Sequence, residues 1–171
     1  YTLSLHDALP ILNLLGFDNA KIFSSPFKRA LQTIEPFIKQ RNLKIIYSNE
    51  LEEIHIPKNP ELSKHQIIEK MWADENYKSD GGMSQREHFS KIENFLNQIF
   101  EDFKNNNNDI VIVTHGNLIG IILKFFFKLQ FGFAEWKTMT MPDIYLLKFD
   151  KKNYFIDMQR NNSNIERIFT I

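Results

Sequence analysis

Apolar and polar positions along this chain alternate between short β-branched runs and longer stretches of helical spacing. "AKIFSS" (20–25) and "KIIYSN" (44–49) read as strands, and "IVIVTH" (110–115) as a central strand covered on both faces. Between the first two, Phe27, Ala30, Leu31, Ile34, Phe37 and Ile38 recur at helical intervals behind Pro26. Pro36 falls inside that pattern and is expected to kink or shorten the helix. "ELSKHQIIEKMWADE" reads as a helix, "DGGMS" (80–84) as a turn, and Phe89, Ile92, Phe95, Leu96, Ile99 and Phe103 as one face of a long amphipathic helix. An apolar helix is expected over 117–130, then "DIYLLKFD" and "YFIDMQR" as a hairpin at the sheet edge. Strands alternating with helices predict an α/β fold of three α/β/α layers, with a mostly parallel open sheet and an antiparallel edge hairpin.

Composition narrows this picture without redirecting it. The 171 residues carry 21 basic and 21 acidic side chains, so no net field draws the chain toward nucleic acid or an anionic membrane. The most apolar stretch, 118–133, is interrupted by Lys124 and Lys128 and falls short of a membrane span. With no cysteine, disulfides and thiolate metal sites are excluded. His55, His65 and His88 show no metal-ligand spacing and are expected to be solvated, and Trp72 and Trp136 either cover a pocket or simply pack. The opening "YTLSLHDALPIL" lacks a basic region and a small-residue cleavage site, so a cytoplasmic location is expected. Nothing in the sequence speaks to oligomeric state.

Ligands of an open parallel sheet gather where strands end and helices begin. Three segments place polar residues at that edge: Ser24 and Ser25, the run Glu50–Glu53, and Thr114–His115–Gly116–Asn117. Arg29 lies in the first turn of its helix, where a cation is unfavourable unless an anion is shared with the helix terminus. His115 and Arg29 are therefore expected to donate hydrogen bonds to one oxyanion. Glu53 follows the second strand and is a general acid if burial raises its pKa; a solvated acidic loop is the alternative.

"SSPFKRALQT", "LEE" after a strand, "GGMS" before a helix and "IVIVTHGN" stand in an order that resembles the histidine phosphatase superfamily, the phosphoglycerate mutase-like fold. The resemblance runs from about Leu12 to Phe149. It implies phosphate binding by Arg29, His115, Gly116 and Asn117, with His115 as the second pocket histidine and Glu53 as proton donor to the leaving group. It further implies hydrolysis of a small phosphorylated metabolite through a phosphohistidine, with no metal and no cofactor. A non-catalytic phosphate-binding or regulatory domain and a mutase-type phosphotransferase are the alternatives.

The chain departs from the family pattern at its start, where the nucleophilic histidine of an R-H-G motif is expected. His6 stands between Leu5 and Asp7 and precedes Ser24 by 18 residues, whereas a strand, crossover helix and strand need about 30. Residues 1–11 are unlike the rest and resemble translated adapter sequence. They are expected to be a non-native leader to a domain over 12–171 that lacks its first central strand. Gly82-Met83-Ser84 stands where the family has G-E-S, and "IHIPKNPE" replaces a glycine–tryptophan–glycine element, which leaves Glu52 as the fallback acid.

Overall fold

In the computed structural model, residues 13, 16–17, 19–106, 108–150 and 155–162 are described. Strands β1 (Lys21–Ser24), β2 (Ile45–Tyr47) and β3 (Ile110–Val113) form a parallel sheet in the order β2-β1-β3. Ile22 pairs in register with Ile45 on one side and Val111 on the other, and Ser24 with Tyr47 and Val113. The three strands thus end at one level, and their following segments converge there.

Alternation along β1 divides the core into layers. Ile22 packs with Ile34 and Phe37 of helix α1 (Lys28–Arg41). Phe23 points the other way, joining Leu51 and Ile99 of helix α3 (Gln85–Asn106). Helix α2 (Lys64–Ala73) adds Ile67 and Met71 to a third cluster with Leu118 and Ile121 of α4 (Gly116–Ile121). A short α5 (Phe133–Lys137) precedes strands β4 (Asp143–Phe149) and β5 (Phe155–Asn162).

Two helix starts follow directly from sequence. Ser63 and Gln66 form a reciprocal capping box on α2, and Ser84 and Glu87 make the same exchange at the start of α3. Each satisfies backbone N–H groups that the first helical turn leaves unpaired.

Four expectations are corrected. Pro36 does not shorten α1, which runs 14 residues with the proline inside it and stops at Asn42 in the left-handed region. The apolar helix expected over 117–130 ends earlier, its last turn widening to π geometry over Ile122–Phe126. Among the described residues β4 and β5 pair with each other and not with the parallel sheet. Nor is β3 central: among the described residues it pairs with β1 alone, and all four of its residues are half-buried.

The last two corrections describe one feature. β3 and β4 both line a cavity of about 1190 Å³. Strands of one sheet lie about 4.8 Å apart, and β3 and β4 are not paired at that spacing. The far end of the cavity is walled by aromatic rings, with Phe149 centred 5.1 Å from Phe100 and 5.3 Å from Phe103. The hairpin is held instead by Ile144 against the α1 layer and by Arg160, which donates to both Asp143 carboxylate oxygens and to the Thr138 carbonyl. The expected leader over 1–11 and His6 lie outside the described residues.

Candidate active site

His115 directly follows the end of β3, where the chain turns into α4, and is 7% exposed. Its Nδ1 lies 3.0 Å from Arg29 Nε and its Nε2 lies 2.8 Å from Ser25 Oγ. A guanidinium only donates, so Nδ1 accepts and the imidazole proton resides on Nε2, directed at the serine hydroxyl. Burial, reinforced by the adjacent Arg29 charge, pushes the His115 pKa down to about 4, which keeps the ring neutral at pH 7. Phe27 completes this corner: its ring lies 5.3 Å from that of His115 and 4.9 Å from the Arg29 guanidinium carbon. Arg29 and His115 were expected to face a shared anion side by side; here Arg29 instead donates to the imidazole itself.

Ser25 was not singled out as a site residue, although it holds the site together. Fully buried, its hydroxyl accepts from the Phe27 backbone N–H as well as facing His115. The serine pair after β1 was visible in sequence, but a partner 90 residues away was not.

Glu53 lies across the same cavity wall from Arg29 and His115. Burial lifts its carboxyl above the usual carboxylate range, opposed by hydrogen bonds from the Ile54 backbone and Asn117 and by the charges of Arg29 and Lys64. A carboxyl so raised can carry a proton to a leaving oxygen. Glu52, the fallback acid, does not line this cavity. Gly116 and Asn117 do, and buried Asn117 leaves its Oδ1 without a partner among the described residues. Thr114 donates to the Leu51 carbonyl at 2.7 Å, tying the end of β3 to the loop that carries Glu53.

Of the other candidates, Trp72 packs in the core against Phe131, while Trp136 and exposed His65 line the cavity with their rings 5.8 Å apart. His88, expected in solvent, is instead half-buried, with an Nε2 that has no partner among the described residues and a pKa that burial lowers to about 4. Among the described residues no three His, Asp or Glu side chains cluster to hold a metal ion, and no helix is long and apolar enough to cross a membrane.

Fold and site together define an α/β protein with a pocket at the carboxyl ends of its parallel strands that brings Arg29, His115 and Glu53 together. The chain belongs to the histidine phosphatase superfamily, branch 1, whose family model matches residues 11–162, and it is a phosphatase by that membership. The sequence matches no curated protein directly. Solved structures share the fold. A mycobacterial glucosyl-3-phosphoglycerate phosphatase complexed with inorganic phosphate superposes with a TM-score of 0.69 at 18% identity, covering 95% of this chain and 85% of that one. YhfR of Bacillus stearothermophilus gives 0.66 at 18% identity, covering 91% and 81%, and a mycobacterial hydrolase 0.62 at 20%, covering 82% and 73%.

Proposed function

We propose that this pocket holds the phosphoryl group of a small phosphorylated metabolite and that the fold is that of a phosphomonoester hydrolase acting through a phosphohistidine. One observation carries the reading: Arg29 and His115 meet at the ends of adjacent parallel strands, with Glu53 on the same cavity wall. A phosphate entering there would draw the Arg29 guanidinium off the imidazole and take up its donors, with Gly116 and Asn117 beside it. The neighbour solved with inorganic phosphate supports such a pocket, and its named substrate supports a small phosphorylated metabolite.

In this reading an imidazole nitrogen attacks phosphorus, the bond to the leaving oxygen breaks, and Glu53 gives that oxygen its proton. Water then attacks the phosphohistidine, Glu53 takes the proton back, and phosphate leaves. These steps need neither metal nor cofactor. Both nitrogens of His115 are engaged, and among the described residues the other histidine lining the pocket is His65 on α2. In this reading the attacking imidazole belongs to an Arg-His-Gly strand, and the chain as given does not turn over. A cytoplasmic site of action is part of the same reading.

The chain as it stands is expected to bind inorganic phosphate, detected calorimetrically, and to lose it on Arg29→Ala. It is expected not to hydrolyse para-nitrophenyl phosphate. Extending it with an upstream strand ending in Arg-His-Gly should produce hydrolysis that His115→Ala abolishes. Turnover by the unextended chain, lost on His115→Ala and unchanged by His6→Ala, would refute this account of the nucleophile. Phosphate binding with no turnover after extension would favour a non-catalytic phosphate-binding domain, a reading that the full engagement of His115 independently supports.

A further inference from the structure

Ser25 has each of its polar groups committed. Its backbone N–H donates to the Val113 carbonyl at 2.9 Å, and its carbonyl accepts from the Ser24 hydroxyl at 3.0 Å. Its hydroxyl oxygen takes the Phe27 N–H at 3.2 Å and the His115 Nε2–H at 2.8 Å. Two incoming donors fill both acceptor positions of that oxygen. Pro26 follows, and a residue before proline is biased to extended backbone. The side chain is fully buried and does not line the large cavity. It therefore meets the imidazole from inside the protein, while Nδ1 is turned to Arg29, which does line that cavity.

Phosphate binding changes what Nδ1 needs. While Arg29 donates to it, Nδ1 stays bare. When the guanidinium turns to an anion, Nδ1 loses that donor beside a negative charge, which favours the imidazolium. An Nδ1–H bond then forms with a proton from solvent, and that N–H donates to a phosphoryl oxygen. An imidazolium donates from both nitrogens, and burying it is costly unless each has an acceptor. Ser25 is the second acceptor, already in place, and it takes the same Nε2–H from the neutral and the charged ring.

We infer that Ser25 is a positioning residue: its hydroxyl pins Nε2 of His115, so that Nδ1 is the nitrogen that takes up a proton and donates to the bound phosphoryl group. This inference rests on the phosphate-pocket reading and adds the residue that makes His115 a donor there. Arg29 of α1 is the charge in contact with the ring. Glu53 after β2, Lys64 and His65 of α2, Lys137 of α5, and Asp143 and Tyr145 of β4 line the same cavity, with Asp143 held by Arg160. Glu53 is the competing destination for the proton, because burial already raises its pKa.

Nitrogen-15 NMR of the His115 ring during titration with inorganic phosphate at pH 6 tests this. In the free chain the expected state has Nε2 protonated and Nδ1 bare; with phosphate bound, both are protonated. Ser25→Ala should bind phosphate about fivefold more weakly at pH 6 and leave Nδ1 largely bare, a loss of the size of one hydrogen bond. Ser25→Thr, which keeps the oxygen, should restore both. Relative to His115→Gln, a comparison that cancels the titration of phosphate itself, the chain's affinity should rise from pH 7.5 to pH 6, and Ser25→Ala should flatten that rise. Phosphate bound with Nδ1 still bare, the proton having gone to Glu53 or nowhere, would overturn the inference. So would a folded Ser25→Ala variant with the parent's ring protonation and affinity. The first outcome needs no variant and decides the matter even if Ser25→Ala does not fold. Failure of inorganic phosphate to bind at all would overturn the phosphate pocket itself, and the role of Ser25 with it.

Discussion

The neutral state of His115 rests first on burial and then on one asymmetric contact. Because Arg29 Nε donates to Nδ1, protonating the ring would bring two cationic donors face to face. The ring titrates near 4 when folded and near 6.5 in an unfolded chain, and His88 behaves alike. Between those values the unfolded state binds more protons, so stability is complete above about pH 6.5 and falls as pH drops toward 4. Urea midpoints measured at pH 7 and pH 5 should show that loss, and His115→Gln should make the dependence shallower. A second expectation concerns Glu53 in an active, extended chain. Glu53→Gln removes the transferable proton, so hydrolysis of an alkyl phosphate should fall at least a hundredfold. Turnover of para-nitrophenyl phosphate, whose leaving group needs no proton, should fall much less. Sequence showed Arg29, His115 and Glu53 as residues at the right edge of a sheet. It could not show that the first two would bond each other, because that depends on side-chain geometry across 86 residues.

At the scale of elements, the close meeting of α4 with α2 depends on Gly120. A methyl group there would sit 2.6 Å from both the Phe131 ring and the Trp72 indole, closer than any real contact allows. Gly120→Ala should therefore destabilise the fold by about 1–3 kcal/mol, read as a lowered thermal midpoint, although alanine is the better helix former. Thr114→Val, which deletes the bond to the Leu51 carbonyl, should cost about 1 kcal/mol and loosen the Glu53 loop. Capping signals made α2 and α3 legible from sequence, since Ser63 with Gln66 and Ser84 with Glu87 are local pairs. Apolar spacing alone could not reveal the widened turn after Ile121. Pro36 misled because the packing of Ile34 and Phe37 against Ile22 outweighs the hydrogen bond a proline removes.

Across the whole molecule, the α/β class and the mostly parallel sheet were readable because β-branched runs and helical spacing alternate along the chain. The break between the sheets was not, because periodicity reports which face of a strand is buried and is blind to its edges. Only β1 is paired on both sides among the described residues. Amide hydrogen exchange should accordingly be slowest in Ile22 and Phe23, and faster at the side of β3 that faces the cavity. Strand edges without a partner among the described residues also bear on how the protein behaves in a test tube. A row of open N–H and C=O groups is a template for any extended chain, including another molecule's. Solutions of this chain should therefore form β-rich oligomers as concentration rises, visible as growing scattering with a red-shifted amide I band. Handling it dilute is the practical counterpart of a sheet left open along one seam.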